Sequence, residues 1–368
     1  MVHFVIMIDQ KRKLSINTDL ISWYKIFARD LPWRRTTDPY AIWVSEIMLQ
    51  QTRVETVIPY YTCWMDELPT IGSLVAADQD QVLKLWEGLG YYKRAHNLHK
   101  AAKIIVDSFD GNLPNNVKSL ESLPGIGRYT AGAISSIAFD QPSPILDGNI
   151  KRVFTRLFNI STPLQISETE KELWRIAEDL LPEDNPGEFN QALMELGALI
   201  CLPKTPVCDR CPLKDNCLAF QYQLQGDLPV RKEKSPVPHL QVTAAVIEKD
   251  GKVLLAKRPP EGLLGGMWEF PGGKQESNET LPETLEREIK EELDATVQVG
   301  EHLGTYHHAY THYKVTLHAF QCRLVSEKLN MIYHTDLAWE SIDSLGSYPM
   351  GKLDRIIADQ LKAESNQQ

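Results

Sequence analysis

The period of the hydrophobic pattern changes once along the chain, and this constrains the fold more than any other feature. Up to about residue 225, apolar residues recur at helical spacing in Leu20–Ala28, Tyr40–Leu49, Val82–Leu89, Lys100–Ser108, Thr130–Ala138, Lys171–Leu181 and Asn190–Cys201. The stretch Gln225–His239 is rich in proline and charge and has no period, as an interdomain linker does. Beyond it, Val242–Glu248, Lys252–Lys257 and Tyr313–Leu324 are short, β-branched and partly alternating, hence strands, and Leu281–Leu293 between them is one acidic helix. One layer of structure cannot serve both periods. The sequence therefore predicts an all-α domain over residues 1–225, a linker over 226–239, an α+β domain over 240–362 and a tail over 363–368. Helix starts are marked by Asp38-Pro39, an N-cap followed by proline at the first helical position, and by Ser167 and Glu170 at capping-box spacing.

The net charge of −10 is spread over both parts, and neither is basic. A nucleic-acid surface normally carries a basic footprint. Any such contact here has to come from backbone amides and a few placed cations rather than from bulk charge. No apolar run approaches the ~18 residues of a membrane span, which sets a membrane partner aside. The apolar Met1–Ile8 has no basic region before it and no small-residue cleavage site after it, so it is expected to be a short tail or first strand. The expectation is a cytoplasmic, nucleoid-associated monomer.

Four of the six cysteines lie together as Cys201, Cys208, Cys211 and Cys217, with six, two and five residues between them. Two disulfides could form in principle, but in a reducing compartment such clusters more often hold metal. Four thiolates suit zinc or an iron–sulfur cluster. Zinc sites usually show two close pairs, and only one Cys-x-x-Cys is present. Cys63 and Cys322 stand alone and are expected to be buried small hydrophobes.

Leu123-Pro124-Gly125-Ile126-Gly127-Arg128 lies between two helical runs. Such a turn exposes backbone N–H groups at a helix start, which can hold a phosphate without net positive charge. Asp147 precedes the helix through Arg156. It is either an N-cap or a carboxylate aimed at a ligand. Glu46 lies inside the helix Tyr40–Gln51 with Ile42, Trp43 and Leu49 at i−4, i−3 and i+3. Apolar surroundings penalise its charge, so its pKa is expected to rise and suit it to acid catalysis, while a second carboxylate in a polar setting stays ionised.

Taken together, Leu31-Pro32-Trp33-Arg34, the Trp43–Thr52 helix, the Leu123–Arg128 hairpin, Leu146–Asn149 and the cysteine loop resemble the adenine DNA glycosylases of the endonuclease III (helix-hairpin-helix) superfamily over nearly the whole chain. Met1–Ile6 match nothing in that resemblance, so Met7 is an alternative first residue. Superfamily members that also cut the backbone carry a Schiff-base lysine just after the hairpin. Here that position is Tyr129, which implies a monofunctional, adenine-removing enzyme. The resemblance implies double-stranded DNA containing adenine opposite 8-oxoguanine as partner, with the adenine turned out of the stack. It implies that Glu46 protonates the adenine ring and that Asp147 stabilises an oxocarbenium-like sugar, the two-carboxylate logic of glycoside hydrolysis. Tyr129 and Asn149 would line the pocket and position Asp147 and the sugar. Gln51 and Tyr91 would wedge into the duplex, although Tyr91 also reads as an ordinary packed aromatic. Leu123, Gly125, Gly127 and Arg128 would form the DNA-binding hairpin, with Arg34 and Arg53 as further cations. The four cysteines would hold a structural [4Fe–4S] cluster.

The resemblance also implies a C-terminal Nudix-like domain that reads 8-oxoguanine through a Phe-Ser-His loop, and this chain has Tyr310-Thr311-His312 there. His307, His308 and His318 nearby read as strand-surface histidines. Gly273, Glu279, Arg287, Glu288, Glu291 and Glu292 match the Nudix hydrolase box, with Ile289 in its aliphatic slot and Asp294 in place of its second glycine. The match reflects ancestry. It leaves open a retained Mg²⁺-dependent nucleotide pyrophosphatase using Glu288, Glu291 and Glu292. An endonuclease III-like lyase is a competing reading, against which Tyr129 stands. An iron–sulfur DNA-binding protein with a dead pocket is another, against which Glu46 and Asp147 stand.

Overall fold

The computed structural model describes residues 6–230, 237–310 and 313–366. The chain forms two compact units, one from Met1–Leu74 with Lys100–Lys234, the other from Val75–His99 with Ser235–Gln368. The helices of the first two-thirds are α1 (Gln10–Phe27), α2 (Pro39–Leu49), α3 (Val54–Glu67), α4 (Ile71–Ala76), α5 (Gln79–Trp86), α6 (Lys93–Phe109), α7 (Val117–Glu121), α8 (Arg128–Phe139), α9 (Gly148–Leu157), α10 (Ser167–Leu180), α11 (Pro186–Leu199) and α12 (Leu218–Gln221). Helix α5 lies wholly in the second unit, and α4 and α6 cross the division. A split near residue 225 therefore misses a 25-residue excursion, Val75–His99, whose helical period is the same as its neighbours'.

In the first unit, α1, α8, α9, α10 and α11 share a core around Leu20, Phe154, Leu173, Ile176, Phe189 and Leu196. Glycines let two of these backbones touch. A Cβ on Gly132 of α8 would stand 2.5 Å from the Pro144 carbonyl oxygen, and one on Gly187 of α11 would stand 2.4 Å from that of Ser136.

The second unit is a mixed sheet of β1 (His239–Lys249), β2 (Lys252–Lys257), β3 (Trp268–Glu269), β4 (Val297–Ala309), β5 (Lys314–Leu324) and β6 (Asp336–Glu340), with α13 (Leu281–Leu293) and α14 (Lys352–Ser365). The strand order is β3-β2-β1-β5-β4, with β6 paired to β2 and β1 parallel to β5. Asp250 and Gly251, both at positive φ, close the β1–β2 hairpin as a two-residue turn of this hand requires. Both faces are covered. Ala244, Val246 and Leu255 meet Ile357 and Leu361 of α14, whereas Ala245, Ile247 and Leu254 meet Leu285, Ile289 and Leu293 of α13. Burial on two sides explains the continuous apolar run in β1.

Several expectations change. Ser167 is the first residue of α10 rather than its cap. Ile166 takes the cap position with no side-chain hydrogen bond, and Glu170 pairs with Lys151 instead of reaching back. Residues 6–8 have no regular structure, and Ile6 and Ile8 pack on the helical core as a tail does. Cys322 is buried, but Cys63 is exposed on the outer side of α3. Helix α14 continues to Ser365, past the boundary drawn at 362.

The close approach of α11 to α8 gives a direct test. Gly187→Ala should lower stability by roughly 1–3 kcal/mol, because the new methyl meets main chain that cannot move aside. Thermal unfolding should show the drop, and an unchanged midpoint would contradict this packing.

Candidate active site

Helix α2 begins where the Asp38 side chain accepts from Tyr40 N–H and Pro39 fills the first turn. Every residue from Tyr40 to Met48 is buried, so Glu46, 4 % exposed, sits on a helix with no wet face. The Tyr129 hydroxyl, from the first turn of α8, donates to Glu46 Oε2 at 2.9 Å. Burial pushes the Glu46 pKa up to about 7. The Tyr129 hydrogen bond and the Arg34 charge oppose this rise, and the Asp147 charge adds to it. Burial likewise lifts the Tyr129 phenol well above its ordinary value, which keeps it a donor.

Asp147 turns out to be both things the sequence left open. It caps α9, accepting from Ile150 N–H at 2.7 Å, and it lines the same cavity as Glu46. Asn149 Nδ2 donates to Asp147 Oδ2 at 3.1 Å, while Asn149 Oδ1 accepts from Arg152 at 2.9 Å. Arg152 in turn donates to the Gly197 carbonyl of α11 at 2.7 Å. The expected contrast between a raised and a low carboxylate is softened. Burial raises Asp147 too, against the lowering effects of Ile150, Arg152 and Asn149. Asn149 thus orients Asp147 as expected, but Tyr129 holds Glu46 rather than Asp147.

The cavity offers about 150 Å³ of space to water-sized atoms. Its far wall holds residues that the sequence did not single out. Glu195 of α11 is buried and accepts from Arg29 Nε at 2.9 Å, from a second Arg29 nitrogen at 2.8 Å and from Arg34 at 2.9 Å. Burial opposes its charge, yet these bonds hold the carboxyl at about 2. Arg34 is therefore engaged by Glu195 and the Arg29 carbonyl, not presented to DNA as expected. A glutamate within the apolar run Ala192–Leu199 was a legible signal for Glu195.

The Leu123–Arg128 turn joins α7 to α8. Gly125 has φ +80° and Gly127 caps α8, whose first N–H groups lack helical acceptors. The Leu123 and Ile126 side chains are buried, Leu123 to 3 % exposure, so only main chain of Leu123 could meet a phosphate. Arg128 pairs with Glu178 at 2.7 Å and lies 3.7 Å over the Trp174 ring, both near the surface. Gln51 and Tyr91 are exposed and have positive φ, 58° and 50°. An exposed aromatic at a tight turn is not the packed core residue weighed for Tyr91.

Cys201, Cys208, Cys211 and Cys217 line one apolar cavity with Leu157, Leu196 and Arg156. Arg156 donates to Cys201 Sγ at 3.3 Å. Burial raises the Cys208, Cys211 and Cys217 thiols, Cys211 to about 12, and the charge of Cys201 adds to each. Four crowded thiols in such a pocket ionise together most readily around a cationic group, so the chemistry of the donors suits a thiolate-bound inorganic centre, while among the described residues no three of them converge on one ion as they stand.

In the sheet unit, Tyr310 directly follows β4 with ring centroids 4.6 Å from His308 and 4.8 Å from Tyr313, while Thr311 and His312 lie outside the described residues. His307 bonds Thr316, and His318 bonds Thr305 and Gln241. The Nudix carboxylates do not form a magnesium site. Arg287 is paired with Glu279 at 2.6 Å, Glu288 at 3.0 Å and Glu291 at 3.2 Å. Glu288 is folded against Gly273, where a Cβ would stand 2.2 Å from its carboxyl carbon. Burial, with the charges of Glu269 and Glu288, pushes Glu292 up to about 8. Among the described residues no three His, Cys, Asp or Glu side chains converge on one ion. Asp294 takes the left-handed position after α13, bonded to Lys290 and Asn330, so a glycine is not needed there.

Residues 44–179 match the HhH-GPD superfamily of base excision DNA repair proteins, and residues 242–360 match the NUDIX domain. The chain is similar to the adenine DNA glycosylase of Mus musculus, 35% identical over 367 residues that cover 84% of this chain and 71% of the mouse protein. It is 36% identical to the Homo sapiens adenine DNA glycosylase over 370 residues, 85% of this chain and 67% of the human one. A solved thermostable thymine-DNA glycosylase superposes with a TM-score of 0.54 at 29% identity, covering 58% of this chain and 98% of its own.

The Glu46 carboxyl should titrate near neutrality, followed by carbon-13 NMR of labelled glutamate. Tyr129→Phe removes a bond to the charged form and should move that midpoint upward. A native-protein midpoint in the ordinary carboxylate range would contradict the buried geometry. Because the folded value exceeds the unfolded one, the stability linked to Glu46 is full below about pH 4.5 and is lost as pH rises through about 7.

Proposed function

This chain belongs to the adenine DNA glycosylase family, a base excision repair DNA N-glycosylase, and we propose that it hydrolyses adenine from a mispair with 8-oxoguanine or guanine without a lyase step. The observation that carries this reading is the single cavity lined by Glu46, Tyr129, Asp147 and Asn149, in which no lysine is present among the described residues. A carboxyl with a pKa near 7 keeps about half of its population protonated at neutral pH and can give its proton to a ring nitrogen of the turned-out adenine. Adenine then leaves neutral with the electrons of its glycosidic bond. Positive charge develops on the sugar, and the Asp147 carboxylate, held by Ile150 and Asn149, faces it. Water adds at the sugar carbon and loses a proton, and the Glu46 carboxylate is available to take it. Without an amine nucleophile, the abasic site is left uncut.

DNA is held by the α7–α8 turn, and Gln51 and Tyr91 supply side chains suited to enter the stack. The loop that follows Tyr310 reads the partner base in this proposal. Cys201, Cys208, Cys211 and Cys217 would hold a [4Fe–4S] cluster. When bound, the cluster supplies a cross-link between the Cys201–Cys217 loop and the helical core, and no catalytic step passes through it. No step is assigned to Mg²⁺.

Single-turnover cleavage of an adenine:8-oxoguanine duplex tests the chemistry. Strand breaks should appear only after alkali. Breaks without alkali would indicate a lyase, and no abasic site would sink the glycosylase assignment. Glu46→Gln and Asp147→Asn should each abolish turnover while leaving duplex affinity near that of the native chain. Near-normal turnover by either would overturn its role. Iron analysis of anaerobically prepared protein should find about four irons per chain, lost on Cys211→Ser. Stoichiometric zinc would refute the cluster.

A further inference from the structure

The Gly90-Tyr91-Tyr92 turn lies inside the region matched by the helical repair family, yet its segment belongs to the sheet unit. Charge fastens it there on the side before the turn. Asp80 of α5 accepts from Lys257 Nζ at 2.6 Å and from the Trp268 indole at 3.2 Å. Glu87 accepts from Arg355 Nε at 2.6 Å, from a second Arg355 nitrogen at 3.3 Å and from Lys84 at 2.9 Å. After the turn, His96 Nε2 lies 2.8 Å from the Gly265 carbonyl oxygen. Gly266 sits at φ +72°, so close that an added Cβ would stand 3.1 Å from the His96 ring and 3.2 Å from Leu83.

Within the turn, the Gly90 carbonyl accepts from the Trp86 indole at 3.1 Å and from Arg94 at 3.0 Å, and the Tyr92 hydroxyl accepts from Gly88 N–H at 3.1 Å. These bonds hold Tyr91 in the left-handed region with its ring 41 % exposed. A non-glycine residue persists there only where its surroundings determine it. Burial chiefly raises the Tyr310 phenol, and the charges of Tyr313, Asp354 and, less, Tyr92 add to it.

We propose that Asp80, Glu87 and His96 are positioning residues for DNA recognition. By fastening the Tyr91 turn to the sheet that carries Tyr310, they make duplex insertion and partner-base reading properties of one rigid piece. This rests on the proposed function, because it takes a mispaired duplex as the ligand. Its physical content is a coupling: loosening the Asp80 and Glu87 anchors removes the benefit of the Tyr91 ring, since an exposed ring on an unanchored turn loses its fixed approach to the stack.

The full chain with Asp80→Asn and Glu87→Gln, alone and combined with Tyr91→Ala, provides the test. The readouts are anisotropy-measured affinity for an adenine:8-oxoguanine duplex against a fully paired one, fluorescence of 2-aminopurine beside the mispair, and the saturated single-turnover rate. The anchor variant should lose about tenfold in mispair preference and much of the unstacking signal, with a smaller change in saturated rate. Adding Tyr91→Ala should then cost little more, because coupled positions are not additive. Independent, additive losses would overturn the proposal, as would native-like preference in the anchor variant. If that variant unfolds early, the swap Asp80→Lys with Lys257→Asp replaces it. Restored preference over Asp80→Lys alone supports the coupling, and no restoration refutes it. A native chain that releases no adenine would defeat the proposed function, while affinity and unstacking, which need no chemistry, would still decide the positioning role.

Discussion

The burial of one carboxyl, Glu46, governs the helical unit. A carboxylate taken out of water costs several kcal/mol unless it is paired. Glu46 has no cation in contact among the described residues. It receives one hydroxyl, from Tyr129, and stays near its protonation midpoint at neutral pH. Much of the surrounding architecture serves this condition. Helix α2 is buried along almost its whole length, α8 approaches α11 through Gly187 with no room for a side chain, and α9 starts on Asp147. The same cavity contains the opposite case. Glu195 is as deeply buried but fully charged, because two arginines surround it. Two glutamates on the walls of one cavity are therefore shifted in opposite directions, and the difference lies in their partners and not in their burial.

This arrangement also accounts for an acidic chain that handles a polyanion. Cations near the site are largely committed within the protein, Arg29 and Arg34 to Glu195 and Arg128 to Glu178. What remains for phosphate is main chain at the α7–α8 turn, which a net charge of −10 does not weaken. In the sheet unit the acids of α13 are drawn into Arg287 and into burial. That helix carries a hydrolase-box pattern whose carboxylates are turned to internal pairing.

Much of this was legible in a single sequence. The helical period, the Asp38-Pro39 start, α13 and β2 were read at or near their observed bounds, since each is dictated by local spacing or capping chemistry. Other elements were not. Helix α3 carries Pro59 in its interior, where the missing N–H and the ring disfavour a helix, so the local pattern does not point to one. Strand β4 is an edge strand with two register shifts and mostly exposed residues, so it lacks alternation. Segment 75–99 has an ordinary helical period, and nothing in its local pattern says which core it joins. Its anchors, Lys257, Gly265 and Arg355, lie about 170 to 270 residues away in sequence.

The sequence alone determined which chemistry was available: two carboxylates without a neighbouring lysine, four thiols at a fixed spacing, a glycine turn and a box of acids. Residue type and short spacing are local properties, so they survive without coordinates. Tertiary structure decided which groups meet and in what state. It joined Tyr129 to Glu46, gave Glu195 its arginines, drew the Nudix acids into internal pairs and burial, and placed the Tyr91 turn in the sheet unit. Each of these depends on burial and on partners remote in sequence, and protonation and pairing energies are set by that surrounding medium, not by the residue that titrates.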